Sequence, residues 1–180
     1  GDGDDELWGS DGPDIMNGGT GNDVIRTAQG QGDQIDGGDG DDVIMVAGGR
    51  GSRSDMHING GSGNDTIEAS TGMTADLATG QGQFQSSTGF NGVAFTFAGI
   101  ENLTVTGRAQ LTGDDQNNVF RSNIYNDTLS GGAGDDILDA GDGADVLDGG
   151  TGVDQMFGGR GDDLYHADTQ ADLVFETLYG

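Results

Sequence analysis

The sequence predicts an all-β fold, a parallel coil of short strands joined by tight turns. Three observations predict it. A nine-residue period runs through most of the chain, glycine and aspartate hold fixed places in that period, and an apolar residue holds another. No stretch shows a sustained helical period, and a short fixed period is the signature of stacked repeat architectures.

The period is cleanest from Gly113 to Phe175, where seven unbroken units start at Gly113, Ser122, Gly131, Ala140, Gly149, Gly158 and Ala167. Their sixth position reads Asn118, Asp127, Asp136, Asp145, Asp154, Asp163 and Asp172. Their eighth reads Phe120, Leu129, Leu138, Leu147, Met156, Tyr165 and Val174. A first block carries the same period with flaws. Asp5, Asp14, Asp23, Asp33, Asp42 and Asp65 take the sixth place, and Leu7, Met16, Ile25, Ile35, Ile44 and Ile67 the eighth. One extra residue enters near Thr27, and Val46 to Asn59 lacks a clear unit, with Asp55 out of phase with Ile58. Between the blocks the period is lost. There the alternating runs Val93 to Phe97 and Leu103 to Thr106 read as strands, with Gly72, Gly80, Gly89, Gly92 and Gly99 as punctuation. The expected organisation is a first block at 1–68, a strand-rich insert at 69–112 and a second block at 113–180.

One unit explains the coil. Its glycines permit positive φ, so six residues turn tightly with their carbonyls directed inward. The next three form a short strand whose middle, apolar residue faces one way and whose neighbours face the other. Two units close one flattened coil, and coils stack at roughly 4.8 Å. The apolar eighth residues then line a narrow interior, and the turns line two edges.

Charge is the obstacle to this fold. The 180 residues carry 32 acidic against 6 basic side chains, a formal charge of −26. Every basic residue is Arg, and 28 of the acids are Asp, the short carboxylate suited to turns and metal loops rather than helices. Leu, Ile, Val and Phe make up only about 19% of the chain, and that content with this charge is the composition of a disordered chain. Stacked coils would bring carboxylates together about every 4.8 Å along each edge, where unit charges repel by several kcal/mol at an effective dielectric near 20. Ca²⁺ answers this best. It takes six to eight oxygens from carboxylates and backbone carbonyls alike, whereas Mg²⁺ demands a strict octahedron and Zn²⁺ prefers His or Cys. The chain has two His and no Cys.

The same composition excludes other partners. Phosphate recognition needs Lys and Arg, so no nucleic acid is expected, nor an anionic membrane surface. No apolar run reaches the length of a membrane-spanning helix, so no membrane insertion is expected. The missing cysteines exclude disulfides and thiol chemistry. No signal peptide is visible, and the opening Gly1-Asp2-Gly3-Asp4-Asp5 reads as mid-repeat, as in a piece of a longer protein.

The unit Gly131-Gly132-Ala133-Gly134-Asp135-Asp136-Ile137-Leu138-Asp139 is a full match to the nonapeptide of the RTX (repeats-in-toxin) proteins of bacterial type I secretion, the hemolysin-type calcium-binding repeat, and the chain resembles that family over about three-quarters of its length. The resemblance implies a right-handed parallel β-roll with several Ca²⁺ ions in its turns, each between alternate units on one edge and held by an Asp carboxylate with backbone carbonyls of the glycine turns. Carried over residue by residue, Asp127, Asp145 and Asp163 would serve one edge and Asp136 and Asp154 the other. In the first block the corresponding sets are Asp5, Asp23, Asp42 and Asp65, and Asp14 with Asp33. The turn glycines implied are Gly19, Gly21, Gly38, Gly40, Gly61, Gly63, Gly132, Gly134, Gly141, Gly143, Gly150, Gly152, Gly159 and Gly161. Roughly eight ions are expected. Departures weaken some sites: Asn118 replaces Asp, and Ile124 and Tyr125 fall where glycine is the rule. The segments Met73-Thr74-Ala75-Asp76-Leu77 and Gly99 to Gly107 also resemble sequences seen between such blocks, and imply a continuation of the coil.

No catalytic constellation is legible. The pairs Asp135–Asp136 and Asp162–Asp163 recur, whereas an active site is a single place. His57 and His166 read as surface residues, Trp8 and Tyr165 as packing residues, and Asp2, Asp4, Asp11, Asp39 and Asp142 mainly as surface charge. The expectation is a calcium-binding module that is not itself an enzyme. It would be extracellular or on the cell surface, folding on calcium within a larger secreted protein. Two alternatives stay open: a structural segment of a surface-layer protein or adhesin, and a carbohydrate-binding or modulating module of a polysaccharide-active enzyme, with polysaccharide or neighbouring domains as partners.

Overall fold

The computed structural model describes residues 1–28, 32–47, 55–85 and 93–177. Every regular element among them is a strand, and the chain alternates between two sheets that face each other. The first sheet contains β1 (Glu6–Trp8), β3 (Val24–Thr27), β5 (Val43–Val46), β7 (Thr66–Ala69), β11 (Asn102–Val105), β13 (Val119–Arg121), β15 (Ile137–Asp139), β17 (Gln155–Gly159) and β19 (Leu173–Glu176), in that order and all parallel. The second contains β2 (Ile15–Thr20), β4 (Gln34–Asp39), β6 (Met56–Ser62), β10 (Val93–Ala98), β9 (Gln81–Phe84), β8 (Met73–Asp76), β12 (Ala109–Thr112), β14 (Thr128–Ala133), β16 (Val146–Thr151) and β18 (Leu164–Ala167). This is the expected all-β parallel β-roll.

The register puts the eighth-position residues on one line. In the first sheet Leu7, Ile25, Ile44, Ile67, Leu103, Phe120, Leu138, Met156 and Val174 pair in succession. All are buried except Leu7, which is half-buried, and Val174, which is exposed on the last strand. Fully burying each such side chain stabilises by about 1.5–3 kcal/mol. Outward neighbours follow the strand alternation. Leu7 points in, so Trp8 points out; it is 71% exposed and lies under the Arg26 guanidinium, 4.9 Å from its ring centre. Trp8 is expected to be a packing residue, and the one-residue step from Leu7 puts its packing on the outer face, against Arg26. Tyr165, at an eighth position, does pack against the core. His57 and His166 are exposed as expected.

Strands β8, β9 and β10 enter the second sheet as a meander. After β7 the chain runs ahead to β8, beside β12, then returns antiparallel through β9 to β10, beside β6. Phe84 and Phe95 stack here at 4.4 Å, with Phe97 tilted against Phe95. The meander slides the register. Met56 lies level with Asp33, a sixth position, yet the pairings outward from it run through Phe95, Gly82, Ala75 and Leu111 to Leu129, an eighth position. On this sheet the two blocks are thus offset by two residues, roughly 7 Å along the strands.

Candidate functional site

The turn before each strand of the first sheet places an acidic or amide residue on one line. The residues are Asp5, Asp23, Asp42, Asp65, Glu101, Asn118, Asp136, Asp154 and Asp172. Each backbone N–H on most of this line donates to the carboxylate of the next coil. Asp5 donates to Asp23 Oδ1 at 2.7 Å, Asp23 to Asp42 at 2.7 Å, Asp42 to Asp65 at 2.8 Å and Asp65 to Glu101 Oε2 at 2.8 Å. Asn118 donates to Asp136 at 2.7 Å, Asp136 to Asp154 at 2.9 Å and Asp154 to Asp172 at 3.3 Å.

The opposite edge carries a second, interrupted line. Asp14 donates to Asp33 at 3.1 Å, and beyond Asp33 the level position is Met56. The line resumes where Ala109 donates to Asp127 at 2.7 Å, Asp127 to Asp145 at 2.7 Å and Asp145 to Asp163 at 2.9 Å. All the sixth-position residues chosen from the sequence thus lie on the two edges, in the sets expected.

Past Asp5 and Asp14, which begin the two lines, the column aspartates have two oxygens with different fates. Oδ1 accepts the neighbour's N–H. Oδ2 of Asp23, Asp42, Asp65, Asp136, Asp145, Asp154 and Asp163 is buried without a hydrogen-bond partner. A buried, unpartnered carboxylate oxygen is costly unless a cation or proton meets it. Burial accordingly pushes Asp65 up to about 6, Asp136 to about 7 and Asp145 to about 6, with neighbouring carboxylates adding to it and backbone N–H donors opposing. Asp42 and Asp154 are raised for the same first reason, and so is Asp127, where Ser122 and Arg108 oppose the rise. Asp172 is held low by the Thr169 N–H.

The first glycine of each unit shows what surrounds the orphaned oxygens. A Cβ on Gly18 would overlap Asp23 Oδ2 and the Gly37 carbonyl oxygen; on Gly37, Asp42 Oδ2 and the Gly60 carbonyl; on Gly131, Asp136 Oδ2 and the Gly149 carbonyl. A carboxylate oxygen and a carbonyl oxygen of the next coil therefore converge beside that glycine. Among the described residues no three His, Cys, Asp or Glu side chains cluster, so a bound cation would take backbone carbonyls together with carboxylates. That is the donor set of Ca²⁺, and it suits neither Zn²⁺ nor a dedicated Mg²⁺ cage.

The glycines chosen from the sequence have positive φ, with the exception of Gly143. At Gly150, with φ of 86°, an added Cβ would overlap the Gly132 carbonyl oxygen of the coil below. Of the two departures read from the sequence, Tyr125 stands level with Gly143, but Ile124 falls at the free third position, and it is Asn123 that stands level with Gly141; Ile124 and Tyr125 are exposed on the turn surface.

Two features escaped the sequence reading. Glu101 holds a column position inside the insert; its signal was the spacing acid–x–apolar in Glu101-Asn102-Leu103, the same as Asp23-Val24-Ile25. The other is an outer ladder at the fifth position, running the opposite way. Asn22 N–H donates to Asp4 Oδ1, Asp41 to Asn22 and Asn64 to Asp41, at 2.8, 2.9 and 2.9 Å. Asp135 and Val153 continue it with Asn117 and Asp135 as acceptors, each at 2.9 Å. Asp4 therefore holds a turn and does more than add surface charge.

A family model, the RTX calcium-binding nonapeptide repeat (4 copies), matches residues 1–32, 28–52, 57–72, 112–147 and 139–174. No curated protein matches the chain.

Proposed function

The chain belongs to the family of RTX calcium-binding nonapeptide repeats, and from that premise we propose that it is a calcium-dependent folding module of a larger secreted protein. The observation that carries the reading is the recurring pair of oxygens: Oδ1 stacks one coil on the next, and Oδ2 is left buried and unpartnered beside a glycine carbonyl. Bound Ca²⁺ would supply the positive charge that such a column lacks. The residues we assign to it are the Oδ2 oxygens of Asp23, Asp42, Asp65, Asp136, Asp145, Asp154 and Asp163, with carbonyls of the adjoining turns. Asp127 completes the second edge.

Without the cation, a chain of charge −26 and so little apolar content stays unfolded. That state suits passage out of a cell with low free calcium. Outside, millimolar calcium fills sites of the 10⁻⁴–10⁻³ M class found in extracellular modules, and coupling between neighbouring coils makes the transition cooperative. We read the module as a scaffold rather than an enzyme, because its carboxylates recur along two lines and do not meet at one place.

A calcium titration followed by circular dichroism and calorimetry tests this. The expected result is a sigmoidal gain of β structure with several ions bound. Full β structure in calcium-stripped buffer at neutral pH would overturn it.

A further inference from the structure

The junction between the first block and the meander is built unlike any regular turn. Ala98 pairs with Asn59, and Asn102 pairs with Thr66. Gly99 is thus level with Gly60, and Glu101 with Asp65. From Gly60 to Asp65 the regular turn uses six residues, while Gly99, Ile100 and Glu101 span the same step with three. Glutamate is longer by one methylene, and its Oε2 reaches the Asp65 N–H at 2.8 Å, the contact made by aspartate elsewhere.

The oxygens at this junction repeat those of the regular turns. Asp65 is 0% exposed and its Oδ2 has no hydrogen-bond partner. A Cβ on Gly60 would overlap both that oxygen and the Gly99 carbonyl, just as one on Gly37 would overlap Asp42 Oδ2 and the Gly60 carbonyl. Asn102 Oδ1, one residue past Glu101, is also buried without a partner. The next step is different. Asn118 donates its Nδ2 to the Glu101 carbonyl at 3.2 Å, so an amide makes that link.

We propose that Asp65, the Gly99 carbonyl and Glu101 form a divalent-cation site of the same oxygen chemistry as the regular turns, and that it joins the first-edge column into one ladder from Asp5 to Asp172. The inference rests on the calcium reading above and extends it to a junction with no nonapeptide of its own. Its consequence is that the two blocks fold as one unit through the first edge, although the second edge is broken at Met56.

The test uses the whole chain with Ca²⁺ as the probe, comparing wild type, E101Q and D136N by calorimetric stoichiometry and circular dichroism. E101Q keeps an oxygen for the Asp65 N–H and removes only the charge. In a column without a cation at this place, removing a negative charge beside Asp65 relieves repulsion and eases folding. With a cation there, it does the reverse. The expected result is one ion fewer in E101Q and a calcium midpoint raised about threefold or more, with a single transition splitting in two; failure of E101Q to fold has the same sign. An E101Q ion count equal to wild type with an unchanged or lower midpoint overturns the inference. If D136N loses an ion in that case, the calcium reading stands and only the junction site falls. If wild type itself takes up no calcium, the reading falls with it.

Discussion

The backbone N–H of Asp136 donates to Oδ1 of Asp154 at 2.9 Å, while Oδ2 of Asp154 is buried with no partner. One carboxylate therefore has two separable roles. Its first oxygen is a structural acceptor between coils, and its second is available to a cation.

Substitution at Asp154 separates these roles. D154N keeps an acceptor for Asp136 N–H and loses charge, whereas D154A loses both and leaves a buried donor unmade. An unmade buried donor costs about 1–3 kcal/mol. At saturating calcium, denaturant midpoints should fall in the order wild type, D154N, D154A, with the last two separated by about that amount. Equal stability of the two variants would show that the inter-coil hydrogen bond contributes nothing.

Glycine in the turns answers to stacking as well as to φ. Gly12 and Gly150 both have positive φ, at 115° and 86°. Beside Gly12 an added Cβ meets nothing within 4 Å, but at Gly150 it overlaps the Gly132 carbonyl oxygen. G12A should cost only the backbone strain, about 1–2 kcal/mol. G150A must in addition push two coils apart, and should raise the calcium midpoint well beyond G12A in the same titration. Equal effects would assign the glycines to conformation alone.

Most of the coil was legible because its two periods are simple. The sixth-place Asp residues mark one line on each edge and the eighth-place apolar residues one line in each sheet, and in the first sheet the pairings from Leu7 to Val174 follow them without a break. The meander was only partly legible. Val93 to Phe97 reads as a strand, but nothing local in Gln81-Gly82-Gln83-Phe84 says that it runs antiparallel between two distant neighbours. Glu101 was hidden for a related reason: its turn is three residues short, so counting by nine passes over it. The fifth-position ladder was hidden because Asn and Asp alternate there, and only the stacked coils reveal that both side chains accept the same kind of N–H.

Burial along the eighth position predicts a gradient in core substitutions. Leu138 is fully buried in β15, whereas Val174, at the equivalent place in the last strand, is 44% exposed. L138A should cost about 2–5 kcal/mol of calcium-loaded stability, as large-to-small core changes do. V174A should cost well under half of that. Chemical denaturation at fixed calcium measures both, and a similar loss at the two sites would contradict the exposure of Val174 on β19.

Protons should partly replace calcium. In the folded chain without metal, Asp65, Asp136 and Asp145 are pushed up to about 6, 7 and 6, chiefly by burial, while in the unfolded chain they titrate near the ordinary carboxylate value of about 3.9. Between those values the folded state binds more protons, so its stability rises as pH falls through about 7 to 4 and is lost as pH rises again. Calcium acts oppositely on the same groups, since binding needs the ionised carboxylate. Calcium-stripped protein should therefore gain β signal by circular dichroism on going from pH 7.5 to 5, and the calcium midpoint should rise over the same interval. Light scattering separates this gain from precipitation near the isoelectric point of 4.1. A calcium-free chain that stays unfolded at pH 5, with a midpoint independent of pH, would show that the buried carboxylates do not control the transition.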